Sequence, residues 1–165
     1  MTIKFSGVIP ILVTPFNEDE SVDTHSIKTM IHLMKDIGVN GVTILGVLGE
    51  ANRLTDNERE LIITTAIQAA DQLPVIVGTS ATGTRSVIHH NTTAKRLGAS
   101  AVMVTPQAEP NPSDEKVFKH FHTILSESDL PVILQDHPAS TGVHMPNELI
   151  FRMLDELTGF GGVKL

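Results

Sequence analysis

The sequence contains no cysteine, no tryptophan and no tyrosine, and these absences exclude several kinds of bond and reactive group. Without cysteine it can form no disulfide, no thiolate nucleophile and no cysteine-based zinc site. Without tyrosine it has no phenol to donate or accept a proton. Basic residues number 12 against 19 acidic ones, which gives a formal net charge of −7. Because nucleic acids and anionic membranes attract basic clusters, we expect neither as a partner.

Signals for export or membrane insertion are also missing. The first residues show no charged segment followed by an apolar one, as a signal peptide would. No apolar run approaches the ~20 residues of a membrane-spanning helix. We therefore expect a cytoplasmic protein. Hydrophobic residues make up 41% of the 165 residues, which is typical of a folded domain, and we expect a single domain over residues 1–165.

Short β-branched runs bounded by Gly or Pro alternate with segments of helical periodicity. The predicted strands span residues 8–14, 42–46, 75–79, 101–105, 132–135 and 161–165. Five helices are predicted between them. The first ends at Gly38, the second opens with a capping box at Thr55, and the third runs from about residue 84 to residue 97. The fourth follows Ser113, and the fifth has Pro146 at its first position.

Repeated βα units build either an open doubly wound sheet or a (β/α)8 barrel. The doubly wound fold usually carries the glycine fingerprint G-x-G-x-x-G after its first strand. Here the first predicted strand runs into Thr14-Pro15-Phe16 instead. The sequence therefore favours an α/β fold, a (β/α)8 TIM barrel, with about the first six strands and five helices present. Because such barrels need eight strands and typically ~250 residues, we expect the chain to be the first two-thirds of a larger protein.

In such barrels the reactive groups lie at the C-terminal ends of the strands. Lys164 lies at the end of the last predicted strand. A lysine in an apolar setting loses proton affinity, and its neutral amine can then attack a carbonyl to form a Schiff base. The alternative is a solvated charge at a strand end. The glycine-rich turn at residues 46–49 could offer backbone N–H groups to a carboxylate, or could be only a tight turn.

Together these segments resemble the dihydrodipicolinate synthase and N-acetylneuraminate lyase family over the whole chain. The resemblance is carried by Gly7-Val8-Ile9-Pro10-Ile11-Leu12-Val13-Thr14-Pro15-Phe16, by Gly46-Val47-Leu48-Gly49-Glu50 with Leu54-Thr55-Asp56-Asn57-Glu58-Arg59, by Pro74-Val75-Ile76-Val77-Gly78-Thr79, and by Gly161-Gly162-Val163-Lys164. It implies a (β/α)8 barrel, usually a homotetramer, that condenses or cleaves 2-keto acids such as pyruvate through a lysine imine. We expect no cofactor.

The resemblance assigns roles to individual residues. It makes Lys164 the Schiff-base lysine. It makes Gly46, Val47 and Leu48 the loop that holds the keto-acid carboxylate, and it adds Thr14 as a further substrate-binding residue.

The sequence departs from the family pattern at the positions that carry protons. The family usually has two hydroxyl residues in the carboxylate loop, where this chain has Val47 and Leu48. It usually has a catalytic tyrosine at the end of the fifth strand, where this chain has Gln135. An amide has no usable pKa near neutrality, so Gln135 cannot act as the acid or base. A second tyrosine corresponds to about Gln107 or Ala108, and the arginine of dihydrodipicolinate synthase to Ser140.

Asp136 and His137 follow Gln135 and are candidates for the missing proton transfer. An imidazole titrates near neutral pH, and a carboxylate could orient it. The alternative is a polar turn before Pro138. The other histidines lack metal-ligand spacing, so we expect no metal.

The leading hypothesis is a Schiff-base-forming lyase of the class I aldolase or dehydratase type. Its substrate is a 2-keto acid such as pyruvate or a sugar-derived keto acid. Two alternatives remain open: dihydrodipicolinate synthase proper, and a non-catalytic keto-acid-binding barrel.

Overall fold

A computed structural model describes residues 5–108, 110–111 and 113–165 of the chain. The fold is built on a sheet of five strands that follow one another in chain order, each pair parallel. The strands are β1 (Val42–Ile44), β2 (Val75–Gly78), β3 (Ala101–Val104), β4 (Val132–Gln135) and β5 (Phe160–Lys164). Parallel neighbours require a crossover between them, and here each crossover contains a helix.

Helices precede or connect the strands, and their ends carry the caps that the sequence predicts. They are α1 (Thr24–Ile37), α2 (Asp56–Ala70), α3 (Thr84–Leu97), α4 (Asp114–Glu127), α5 (Pro138–Thr141) and α6 (Asn147–Glu156), with a 3-10 turn at Ala51–Arg53. The capping box is confirmed, because the Thr55 hydroxyl accepts from the Glu58 amide while the Glu58 carboxylate accepts from the Thr55 amide. Gly38 ends α1 in the left-handed conformation.

Every residue of β1 to β4 is buried, as expected for a parallel sheet covered on both faces. One face packs against the helices in the main hydrophobic core, which includes Val77, Val102 and Leu134. The opposite face forms a smaller cluster, Ile76, Ala101, Met103 and Ile133, against which Phe5, Ile9 and Ile11 pack. In a barrel this second face is the interior.

The first predicted strand, residues 8–14, is found only as a short parallel bridge. Ile11 pairs with Thr43, whose amide donates to the Pro10 carbonyl and whose carbonyl accepts from the Leu12 amide. Toward the N-terminus the Asn40 amide donates to the Val8 carbonyl at 2.8 Å. Toward the C-terminus the pairing ends where Leu45 leaves the extended conformation, with a φ of 56°. The other five predicted strands are confirmed, the one at residues 132–135 with the same bounds.

The pairing of β4 with β5 contains a β-bulge. Val132 pairs with Phe160, but the next pair is Ile133 with Gly162, so Gly161 is an extra residue. A Cβ on Gly161 would lie 2.8 Å from the Pro131 Cβ, so the position leaves little room for a side chain.

Two details of the helices differ from the expectation. The short helix α5 is not among the five predicted helices, although Pro138 at its first position and Gly142 at its end are the usual signals of one. Pro146 is the N-cap of α6 rather than its first residue. Among the described residues, no helix combines the length and apolar character needed to cross a bilayer.

Candidate active site

A cavity of about 140 Å³ opens at the C-terminal ends of β1 to β4. Its lining comes from the segments that follow these strands: Leu45, Gly46, Val47, Ala51, Asn52, Gly78, Ser80, Met103, Thr105, Gln107, Gln135, Ser140 and Thr141. Of the predicted site residues, Gly46, Val47 and Gln135 line it. Thr14, Leu48, Asp136, His137 and Lys164 do not. We call this space the amide cavity, after the carboxamides of Asn52, Gln107 and Gln135.

The turn at residues 45–50 forms one wall of the amide cavity. Its first and last residues, Leu45 and Glu50, both have positive φ, 56° and 52°. Left-handed backbone is unfavourable for a bulky residue such as Leu45, so the surrounding contacts must hold it. The Gly49 amide donates to the Gly46 carbonyl at 3.0 Å and the Glu50 amide to the Val47 carbonyl at 3.1 Å.

The remaining N–H groups of this turn, those of Gly46, Val47 and Leu48, donate to no backbone acceptor within the described residues. Successive free N–H groups in a turn form a concavity that can bind an anion such as a carboxylate. Val47 and Leu48 are 52% and 56% exposed, so this part of the turn is open to solvent.

Contacts from two other segments position this turn. The Thr14 hydroxyl donates a buried hydrogen bond of 2.7 Å to the Gly49 carbonyl. Gly78, the last residue of β2, packs directly against the turn, since a Cβ built on Gly78 would lie 2.0 Å from the Leu45 carbonyl oxygen. The structure thus places Thr14 behind the turn, where it supports the backbone without lining the cavity.

Lys164 and Gln135 are neighbours on adjacent strands. They are paired in register, and the Asp136 amide donates to the Lys164 carbonyl at 2.8 Å. Because in-register residues of parallel strands project to the same face, the two side chains share the face that carries the amide cavity. Gln135 is only 3% exposed, and within the described residues its carboxamide has no hydrogen-bond partner. Lys164 is half-buried and likewise makes no ion pair with any described residue.

Asp136 and His137 do not form the pair that the sequence allowed. The His137 ring contacts the Ser140 hydroxyl through Nδ1, across the first turn of α5. One carboxylate oxygen of Asp136 is buried and has no partner within the described residues. The structure therefore couples His137 to Ser140 and leaves Asp136 with unused hydrogen-bonding capacity.

A second polar cluster lies between α2 and α3, beside the end of β2. It surrounds a cavity of about 20 Å³ and contains Asp56, Arg59, Thr79 and His90, which we call the charged cluster. The His90 ring lies 3.3 Å from the Asp56 carboxylate through Nε2 and 3.4 Å from the Thr79 carbonyl through Nδ1. Burial, followed by the nearby Arg59 cation, lowers the pKa of His90. Burial also lowers the pKa of Arg59, which is 7% exposed.

The predicted site did not include several residues of the amide cavity, among them Asn52, Ser80, Thr105 and Thr141. Ser80 follows a predicted strand and Thr105 ends one, so both were at strand ends where a site was expected. Asn52 and Thr141 lie in short helical turns that the hydrophobic periodicity of the sequence does not predict. Across the described residues, no group of three or more His, Asp or Glu side chains could hold a metal ion.

Comparison with known proteins gives one consistent result. A profile of the dihydrodipicolinate synthetase family matches residues 4–165. A 4-hydroxy-tetrahydrodipicolinate synthase from Persephonella marina is 34% identical over 161 residues, which cover 97% of this chain and 55% of the relative. A protein named an uncharacterized DapA-like lyase from Rhizobium meliloti is 36% identical over 147 residues, 88% of this chain and 49% of the relative.

A solved structure extends the comparison to the fold. The chloride-inhibited dihydrodipicolinate synthase from Acinetobacter baumannii, complexed with pyruvate, superposes with a TM-score of 0.91 at 32% identity. The match covers 96% of this chain and 54% of that one. The predicted fold class is thereby confirmed: the chain has the fold of the N-terminal part of a (β/α)8 barrel. It spans about half the length of the curated relatives that it matches.

Proposed function

Because the chain belongs to the dihydrodipicolinate synthetase family, we propose that its protein is a Schiff-base-forming lyase acting on a 2-keto acid, with pyruvate as the simplest substrate or product. One observation carries the proposal. Lys164 ends β5 in register with Gln135, on the face of the sheet that bears the amide cavity and the turn with three free N–H groups. An amine and a carboxylate cradle at the same sheet edge are what a 2-keto acid requires.

The proposed reaction begins with the attack of the neutral Lys164 amine on the C2 carbonyl. The adduct takes up one proton and loses water to give an iminium ion, and that proton is released again in the final hydrolysis. The Gly46, Val47 and Leu48 amides hold the adjacent carboxylate. In the cleavage direction the C4 hydroxyl gives up its proton, an aldehyde leaves, and the C3–C4 electron pair moves to the iminium nitrogen as an enamine. Protonation at C3 and hydrolysis by one water then release pyruvate and restore Lys164. Condensation is the reverse.

We assign the proton transfer at C4 to His137, because an imidazole can both accept and donate a proton. The contact with Ser140 fixes the orientation of the ring. Asp136, the residue before His137, has a buried carboxylate oxygen without a partner among the described residues and is the alternative proton carrier. Gln135 takes no part in proton transfer, since an amide does not titrate.

A second candidate function is 4-hydroxy-tetrahydrodipicolinate synthesis. It is favoured by the name of the relative that is 34% identical to this chain. A non-catalytic keto-acid-binding protein is the third. All three would form the imine, so turnover of a panel of keto acids and aldehydes separates them. The proposal also includes a cytoplasmic location, and a homotetramer that light scattering of the purified protein would test.

Borohydride trapping is the direct test of the proposal. Incubation with pyruvate and borohydride should add one reduced pyruvate per chain, which intact mass spectrometry detects. Lys164→Ala should abolish the adduct, whereas Lys28→Ala, which removes an exposed lysine of α1, should leave it unchanged. An adduct that survives in Lys164→Ala would refute the assignment of the lysine. The absence of an adduct with every 2-keto acid tried would refute the proposed function.

A further inference from the structure

The amide cavity has a chemical character that bears on the second half of the substrate. No charged side chain is among its lining residues within the part of the chain that the structure describes. Its polar groups are the carboxamides of Asn52, Gln107 and Gln135 together with hydroxyl groups such as those of Ser140 and Thr141. Amides and hydroxyls both donate and accept hydrogen bonds, so the lining of the amide cavity is complementary to ligand groups that also do both.

Two residues that line the cavity have unpaired polar groups within the described residues. The hydroxyl of Thr105 is buried without a partner, and the carboxamide of Gln135, a residue only 3% exposed, makes no hydrogen bond. The carboxamide atoms of Gln135 are not among the fully enclosed unpaired atoms, so they reach the cavity, and a ligand that supplies both a donor and an acceptor can bond to them there. The register with Lys164 places Gln135 on the strand next to the reacting amine.

We propose that Gln135 is a specificity-determining residue that selects a neutral, hydroxyl-bearing partner aldehyde, so that the 2-keto acid formed or cleaved at Lys164 is a polyhydroxylated one. The carboxamide N–H donates to a substrate hydroxyl and the carboxamide oxygen accepts from one. A carboxylate on the partner would satisfy only the donor, face the amide oxygen, and meet no cation among the described residues that line the amide cavity. This inference rests on the function proposed above.

The test uses the full-length protein with pyruvate and three aldehydes. Glyceraldehyde is neutral and carries two hydroxyls, propanal has the same number of carbons and none, and succinic semialdehyde is an anion. The unsubstituted protein should show a kcat/KM for glyceraldehyde at least about tenfold above that for either of the other two, because an analogue that lacks the hydroxyl leaves the amide unpaired.

Gln135→Met keeps the length of the side chain and removes both of its hydrogen-bonding groups. It should lower the ratio of kcat/KM for glyceraldehyde to that for propanal by about tenfold. A structural role for Gln135 would lower both values together and leave the ratio unchanged, which would overturn the inference. Gln107→Met is the matched control at the rim of the same cavity and should change the ratio by less.

The outcomes separate this inference from the proposal beneath it. If no borohydride adduct forms with any keto acid, the proposed function fails and the inference fails with it. If the adduct forms but succinic semialdehyde is used as well as glyceraldehyde, or none of the three aldehydes reacts, the inference alone is overturned. The comparison of aldehydes needs no variant, so the inference stays testable if Gln135→Met does not fold.

Discussion

The amide cavity and the charged cluster lie at the same end of the sheet, yet they use their polar groups in opposite ways. In the charged cluster both His90 ring nitrogens contact an oxygen of the protein, and Asp56 stabilises the Arg59 cation electrostatically. In the amide cavity no side chain is charged within the described residues, but Gln135 and three N–H groups of the neighbouring turn lack partners.

The difference teaches that charge alone does not mark the places in this fold where hydrogen-bonding groups remain unused. The charged cluster holds two helices against the end of β2, and its ionisable groups contact one another, although the Thr79 hydroxyl is buried without a partner among the described residues. The amide cavity retains hydrogen-bonding capacity that a ligand can use. Perturbing one region at a time should therefore affect stability in the first case and substrate selection in the second.

Gly78→Ala should have the largest effect, because Gly78 packs against the turn at Leu45 and lines both the amide cavity and the cavity of the charged cluster. The new Cβ would lie 2.0 Å from the Leu45 carbonyl oxygen, which is backbone and cannot rotate away. We expect a loss of about 1–3 kcal/mol in the free energy of unfolding, measured in urea, together with weaker trapping of pyruvate.

Gly162→Ala is the matched control, because no atom lies within 4 Å of a Cβ built there. Its change in unfolding free energy should stay within about 0.5 kcal/mol. Equal losses in the two variants would contradict the close packing of β2 against the turn.

Thr14→Val should have the next largest effect. It keeps the side-chain shape and removes the 2.7 Å hydrogen bond to the Gly49 carbonyl, which leaves that carbonyl unpaired in a buried place. We expect a loss of about 1 kcal/mol in unfolding free energy and a higher KM for pyruvate. Thr92→Val, which removes an exposed hydroxyl bonded to the Ile88 carbonyl, is the control. A KM for pyruvate that Thr14→Val leaves unchanged would contradict a role for Thr14 in positioning the turn that holds the carboxylate.

The charged cluster should make stability depend on pH. The pKa of His90 is lowered from its ordinary value of 6.5, so the unfolded chain binds a proton more readily than the folded one. The stability contributed by neutral His90 is complete above pH 6.5 and is lost as the pH falls below it. His90→Gln should flatten this part of the urea-stability profile, whereas His89→Gln, at an exposed position, should not. A profile as steep in His90→Gln as in the parent would contradict the assignment.

Arg59→Met should have the smallest of the expected effects, a change in the pKa of His90 within the charged cluster. Removing the guanidinium removes one of the two causes that lower the pKa of His90, so that pKa should rise toward its ordinary value. The shift is measurable by an NMR titration of the imidazole. A downward shift, or none, would show that burial alone controls the ring.

The elements of the fold were predictable from local pattern, whereas the contacts between them were not. Residues 132–135 read as a strand because they are apolar and follow Pro131, and the capping box at Thr55 depends on residues three apart. The contact of Gly78 with Leu45 and the hydrogen bond from Thr14 to Gly49 join segments more than 30 residues apart, as the 35-residue separation of Thr14 and Gly49 illustrates. Such contacts are set by packing of the sheet, which composition and periodicity do not encode.

The candidate site was predictable to a similar degree. Strand ends identified Gly46, Val47 and Gln135, and the structure places all three on the amide cavity. The orientation of His137 was not predictable, because it depends on a one-turn helix that brings Ser140 to the ring. The roles of Lys164, Asp136 and Leu48 stay predictions, to be decided by the trapping experiments.

The bulge in β5 determines to which face of the sheet the later side chains of the strand point. Phe160 packs into the helix-side core, and Lys164, four residues later, would point to the same side in a regular strand. The extra residue at Gly161 shifts the count by one, so Phe160 remains an anchor while Lys164 turns to the face of Gln135. Losing one residue at Gly161 would preserve this parity in a regular strand. If the bulge were straightened at constant length, the Lys164 amine would instead point toward the helices. The candidate site would then lose its amine although the sheet stayed folded.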